Sequence, residues 1–382
     1  MSLGGSTTGA PVGTDRASRE SFLSALTGVN VILPNGTDTA AIVVCGVING
    51  VTAIMLAYAW CNYRYRPIRA KNLTWVTLMY VSVLLWFIGN LPANGMVNIV
   101  GAWKLCKMWI VWFRMLFCFV FASMAIVRFY ALDHVFNRKK PFTTFNSILA
   151  FGIVIVLNGT YSLVTQLISD DLTAGYYSEM QVCNATPGFC ISAVGLQWAL
   201  WLGVGVLIFR LRNIQSSFNE FYESIAVFAV IIALLIESTV INVHYPYYIL
   251  MQSKRISQTV MDTLCSNLVI WLIMGYPVFM SIFRRREYER RWLDKLAYDS
   301  QKVVVTEGGS SGGTRGDKTR LGSRLSTEPP FGDSDLAVPG FAMVHDELFL
   351  REDMDLHYAM LNSPSLFDAT LVHTTPHERR MI

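Results

Sequence analysis

Three ionisable side chains, Arg114, Glu237 and Asp262, lie inside long apolar runs of this 382-residue chain. A charge in hydrocarbon is costly, so such residues mark ion pairs, solute paths or ligand sites. At ~1.5 Å per helical residue, Arg114 sits ~12 Å below Cys106, at the start of its run. Glu237 and Asp262 fall in the same half of their own runs. An arginine between two carboxylates offsets its desolvation by pairing. That arrangement serves either as a structural lock between three helices or as the floor of a ligand site. Trp109 and His244, with Trp112, Gln197, Asn242 and Tyr248, would surround it. Aromatic walls with a few polar groups suit a small molecule. Trp and Tyr also gather at membrane interfaces with no ligand at all. The candidate ligand-binding set is therefore Arg114, Glu237, Asp262, Trp109 and His244.

The elements that must position these residues are transmembrane helices. The chain is 53% hydrophobic and only 15% charged, where a soluble domain carries about 25% charged residues. Apolar runs near the length needed to cross ~30 Å of hydrocarbon recur at 40–61, 73–93, 106–131, 146–168, 191–209, 222–249 and 258–283. The expected fold is an all-α, seven-transmembrane helix bundle. A net charge of +4, with basic residues in short clusters, speaks against nucleic acid as a partner. The lipid bilayer is the partner that the composition demands.

Loop charges set the orientation. Arg64, Arg66, Arg69 and Lys71 follow span 1, Arg138, Lys139 and Lys140 follow span 3, and Arg210 and Arg212 follow span 5. Arg284, Arg285 and Arg286 follow span 7. The opposite loops hold only Lys104 and Lys107 before span 3, and Lys254 and Arg255 before span 7. The expected topology puts the N-terminus outside and the C-terminus in the cytosol. The sequons Asn35-Gly-Thr and Asn184-Ala-Thr then fall outside, as candidate glycosylation sites. Asn72-Leu-Thr falls inside and Asn158-Gly-Thr within span 4, where neither would be modified.

Of seven cysteines, Cys45, Cys61, Cys118 and Cys265 lie in or near spans and read as reduced, buried packing residues. Cys106, Cys183 and Cys190 lie on the oxidising side. Cys106 could bridge to either loop cysteine, or Cys183 and Cys190 could pair locally. The expected disulfide is Cys106–Cys183, stapling span 3 to the loop between spans 4 and 5.

Seven spans, an outer N-terminus and a bridge from span 3 to the second outer loop resemble a G-protein-coupled receptor. The resemblance covers roughly residues 40–300. Span 3 ends Ile126-Val-Arg128-Phe-Tyr130, keeping an arginine without the preceding acid of the rhodopsin-like class. Span 7 carries Gly275-Tyr276-Pro277 in place of Asn-Pro-x-x-Tyr, and span 6 has no Trp-x-Pro. The runs Tyr63-Arg-Tyr-Arg-Pro-Ile-Arg-Ala-Lys71 and Trp86-Phe-Ile-Gly-Asn-Leu-Pro-Ala-Asn-Gly95 are similar to the membrane half of fungal seven-span receptors. Some of those are fused to a regulator-of-G-protein-signalling domain; the polar tail here is too short for one. The resemblance implies a plasma-membrane receptor for an extracellular ligand, coupled to a heterotrimeric G protein that Arg128 and Arg138 would face. Arg128 also suits a plain snorkelling anchor.

Rival classes lose ground on specific residues. Only His134 and His244 lie in the body, on opposite sides of the membrane, so no zinc site of a seven-span hydrolase assembles. No nucleophile–base constellation is visible. Span 7 has no lysine for a retinal Schiff base. The expectation is no enzyme activity, no cofactor and no metal. A small-solute transporter or channel is the alternative function; the absence of an internal repeat weighs against it. Residues 1–39 read as an extracellular segment without a secretory leader, 40–283 as the bundle, 284–300 as a juxtamembrane amphipathic helix, and 301–382 as a mostly disordered cytosolic tail.

Overall fold

Lipid offers the backbone no hydrogen bonds, so an apolar run must satisfy every interior N–H and C=O within itself, as a helix does. The computed structural model describes residues 16–136, 144–178, 181–211 and 220–294. Seven of its helices are long and apolar enough to cross a bilayer. The chain is thus an all-α, multi-pass membrane protein. Arg138 and the 301–382 tail lie outside the described residues, as do residues 1–15.

Ahead of the bundle, α1 spans Arg16–Thr27. The first crossing is α2, Gly36–Cys61. A single turn, α3 (Arg66–Arg69), precedes the second crossing, α4 (Leu73–Ala93). The third crossing opens as a π-helix, Met108–Met115, and continues as α5, Leu116–Phe136. The fourth is α6, Thr144–Leu167. An antiparallel hairpin follows, β1 (Ala174–Tyr177) with β2 (Val182–Ala185), Tyr176 opposite Cys183. The last three crossings are α7 (Pro187–Arg210), α8 (Glu220–His244) and α9 (Gln252–Phe283). Residues 285–294 form a further helix along the expected cytosolic end.

Local chemistry explains where these boundaries depart from the hydropathy reading. The first span starts at Gly36, not residue 40, because Asn35 caps it. Its Oδ1 accepts from the Thr37 and Asp38 amides, and the Asp38 carboxylate accepts from the Asn35 amide. The fifth starts at Pro187, with Thr186 as N-cap and proline in the first turn, where its missing N–H costs nothing. The sixth ends at His244, not residue 249; Pro246 cannot continue it, and Tyr248–Leu250 fold instead as a 3₁₀ turn. The seventh begins at Gln252, which carries Lys254 and Arg255 into the helix.

Span 3 is central: 67% of its most apolar stretch is buried, against 17% for α6 at the periphery. Trp86 of α4, Phe121 of α5 and Trp201 of α7 form an aromatic chain through the core, with centroids 6.2 and 6.0 Å apart. Large apolar residues such as Val47, Ile54, Val156, Leu157 and Val206 point outward, as a lipid-facing surface requires. The α4 helix meets the π segment at Gly89, where a Cβ would stand 2.5 Å from the Arg114 backbone nitrogen. Only glycine permits that approach.

Buried polar side chains bind the helices to one another, as interhelical hydrogen bonds do in lipid. Asn267 of α9 donates to Asn49 Oδ1 at 3.1 Å and accepts from Thr52 Oγ1 at 2.6 Å. Asn158, in the span-4 sequon, is buried and donates to Ser123 across the α6–α5 contact. Cys45, Cys118 and Cys265 are buried free thiols; Cys61 differs from expectation in being exposed, because it ends α2 at the membrane surface.

Candidate functional site

At the end assigned to the outside by loop charge, four pieces form a cap. The disulfide Cys106–Cys183 ties the start of span 3 to β2, with Cα atoms 5.3 Å apart. Cys190 remains a free thiol. The α1 helix lies in the same layer: Leu23 is buried with Val31, Val182, Ile241 and the Tyr248–Leu250 turn. Arg16 donates to the Leu33 carbonyl at 2.7 Å, and the Glu20 carboxylate accepts from the Leu33 amide at 2.9 Å.

The strongest electrostatic contact in this cap is one that sequence reading missed. Arg255 and Asp38, each 1% exposed, form a bidentate pair at 2.8 and 2.6 Å. Arg255 also donates to the Ile32 and Ile249 carbonyls, at 2.5 and 3.4 Å. The guanidinium fork thus joins the first helix, the seventh helix and both flanking loops. Bidentate geometry is what makes a buried pair tolerable in low dielectric.

Below the cap lie two cavities that share Arg114 as a wall. The upper one, about 110 Å³, is lined by apolar Ala93, Ile110, Met115 and Ile249, and by polar Asn184, Asn242 and Tyr248; Cys190 also faces it. The lower one, about 20 Å³, is lined by Arg114, Gln197, Ser238, Asn242, Gln258 and Asp262. That is space for a single water.

The three ionisable groups are not joined as the sequence reading expected. Among the described residues, no ion pair links Arg114 to Glu237 or Asp262. Arg114 is 8% exposed and, among the described residues, makes one side-chain hydrogen bond, from Nη1 to Tyr248 Oη at 2.9 Å. Tyr248 in turn donates to Asn94 Oδ1 at 3.1 Å. Burial raises the Tyr248 phenol pKa, and this outweighs the opposing pull of Arg114. The phenol therefore stays protonated and can accept from one partner while donating to the other. Asp262 accepts from Gln258 Nε2 at 2.8 Å and from Asn90 Nδ2 at 3.0 Å. It faces Arg114 across the lower cavity. Glu237 lines neither cavity; it accepts from Ser257 at 3.2 Å, and its second oxygen is buried with no partner among the described residues.

Trp109 and His244 also sit apart from the cavities. Trp109 stacks between Trp103 and Phe113, at 4.6 and 4.9 Å, and donates to the Ala102 carbonyl. His244 is exposed at the end of α8. Both separations follow from helix rotation, which depth along a helix does not report. Asn94, Gln258 and Cys190 enter the site instead; Asn94 lies in the Trp86–Gly95 run and Cys190 among the outer cysteines, but neither reads as a site residue from sequence, and no motif marks Gln258. Asn35 and Asn184, of the two sequons expected outside, cap α2 and line the upper cavity respectively.

At the opposite end, the arginine expected to face a transducer is engaged within the chain. Arg128 donates to the Lys71 carbonyl at 3.0 Å, and Lys71 pairs with Glu223 at 2.7 Å. This ties span 3 to the first loop and to α8. Tyr65 donates to the Arg285 carbonyl at 2.9 Å, anchoring the 285–294 helix against the same loop.

Seven apolar helices under a stapled cap, with a polar cavity between them, define a multi-pass helical membrane protein. No protein-family model matches the chain, and no curated protein matches it.

Proposed function

We propose that the chain is a plasma-membrane receptor that senses an extracellular ligand and couples to a heterotrimeric G protein. One observation carries this reading. The upper cavity is walled by Arg114, and span 3 runs without a break from Arg114 to Arg128 at the other end. A ligand that moves Arg114 would act on the helix whose far end holds the Lys71 clamp. The π segment is the element suited to such movement, because π turns pair poorly and recur at functional sites. Asn35 and Asn184 would carry glycans on the outer face, and Arg128 and Arg138 would meet the G protein.

The test is nucleotide exchange. The purified full chain, reconstituted with heterotrimeric G proteins, should accelerate GDP release when presented with an agonist found by screening. Arg114→Gln should reach the surface and lose that response. Exchange that never exceeds the protein-free rate, across all Gα classes and a broad ligand set, would remove the receptor reading.

A small-solute carrier is the second reading, and the buried polar chain supports it. Asn94, Thr259, Asp262, Asn267, Asn49 and Thr52 run along α9 and its neighbours through the membrane. Solute flux into proteoliposomes, lost in Asp262→Asn, would favour the carrier.

A further inference from the structure

Arg114 is a buried cation that makes no close ion pair among the described residues. It is 8% exposed, and its single hydrogen bond runs to a neutral phenol. Among the described residues the facing carboxylate, Asp262, is engaged by Gln258 and Asn90 and lies across a cavity with room for one water. A guanidinium carries five donors in a planar fork suited to a carboxylate. Among the described residues no Arg114 nitrogen is both fully buried and without a partner, so its unbonded donors open onto the cavities it lines and are free to take an anion. The same residue walls the upper cavity, whose other surfaces are mainly short apolar side chains with Asn184, Asn242 and Tyr248 among them.

From this we infer that the upper cavity binds a short-chain organic monocarboxylate. Its carboxylate pairs with Arg114, and its alkyl part lies against Ala93, Ile110, Met115 and Ile249. On the measure by which the lower cavity's 20 Å³ holds one water, the upper cavity's 110 Å³ is roughly five times larger, which suits the five or six heavy atoms of propionate or butyrate rather than a long-chain acid. Asn242 lines both cavities, with its amide nitrogen donating to Ser238 of the same helix. A bound anion competes with Asp262 for the Arg114 field, so binding weakens the electrostatic tie between spans 3 and 7. The inference rests on the receptor reading only for its biological meaning; the binding site itself stands on the cavity and its charge.

Cys190 provides the probe. It is a half-buried free thiol lining the same cavity, whereas Cys61 is exposed at the far end of α2. The full chain, purified in nanodiscs, is labelled with methyl methanethiosulfonate and mapped by peptide mass. Sodium butyrate at about ten times its Kd leaves about a tenth of sites open, so Cys190 labelling slows roughly tenfold. Cys61 labelling stays unchanged as the internal control. Butyramide, the neutral isostere, and sodium chloride at equal ionic strength leave Cys190 unprotected. Arg114→Gln removes the butyrate protection. Should Cys190 resist the reagent, the thermal midpoint of the wild-type chain is the second readout. It rises with butyrate and not with butyramide.

Equal protection by butyramide, or no effect of butyrate on either readout in the wild-type chain, overturns the proposal even where Arg114→Gln fails to fold. Neither readout involves a G protein. Butyrate binding with no nucleotide exchange from any ligand or Gα class would remove the receptor reading and leave this site in place. Exchange driven through the upper cavity by a neutral ligand, with butyrate inert, would do the reverse.

Discussion

Arg255 and Asp38 show how much a single buried contact decides. Removing one partner of a buried pair strands the other charge, at a cost of about 3–5 kcal/mol, whereas replacing both by apolar groups is often close to neutral. Arg255→Met and Asp38→Leu should each lower the thermal midpoint in detergent sharply, and the double variant should recover most of the loss. An additive double variant would show that the two side chains do not act as a pair. Gly89 makes a second point at this scale. Gly89→Ala forces a methyl group to within 2.5 Å of the Arg114 backbone, an overpacking cost of ~1–3 kcal/mol. Gly46→Ala meets nothing within 4 Å and should be neutral, or stabilising by up to about 1 kcal/mol through helix propensity. Equal melting shifts for the two would mean that α4 does not abut the π segment. Neither Arg255 nor Gly89 stands out from sequence. An arginine near a span boundary and a glycine in an apolar run are ordinary, and their roles exist only once a second helix is beside them.

Among the elements, α1 is the longest that hydropathy did not mark as structured. Its mixed composition reads as a polar arm, yet Leu23 packs against the hairpin and the Tyr248–Leu250 turn. Leu23→Asp should undock it: hydrogen exchange should rise across 16–33 while the seven spans keep their protection. Acid should act in the same direction. Burial pushes the Glu20 carboxyl up, but the Leu33 amide and Arg16 outweigh it, so its pKa lies below the usual value. A carboxylate depressed in the folded state stabilises above its unfolded pKa and loses that contribution as pH falls through the folded one. Exchange protection in α1 should therefore be flat around neutrality and decline only below the ordinary carboxylate range. Glu20→Gln should abolish the pH step; a step that persists would assign it to another group.

Across the whole molecule, the distribution of charge predicts one orientation. A tag placed ahead of Arg16 should be removed by protease added to intact cells, and a tag within Gly308–Gly313 should survive. The opposite pattern would invert every loop and place the stapled cap in the cytosol. That inversion would also be at odds with the disulfide, because a Cys106–Cys183 bridge persists on the oxidising side. The cap, the cavities and the Arg128–Lys71 clamp then lie along one vertical path through span 3, from outside to inside.

What the sequence determined by itself was height. Hydrocarbon thickness demands runs of about 20 apolar residues, and their number, order and approximate ends could be counted. So could the depth of Arg114, Glu237 and Asp262, at a fixed rise per residue. Azimuth was decided only by tertiary structure. Residues at equal depth meet or miss according to helix rotation, and one extra residue in a π turn rotates everything after it by about 100°. That is why Arg114 bonds Tyr248 rather than a carboxylate, why Glu237 turns to Ser257, and why Trp109 stacks with Trp103 and Phe113. The cavity walled by Arg114 exists because three separate choices coincide: glycine at 89, a π turn at 108–115, and a proline that folds Tyr248 inward.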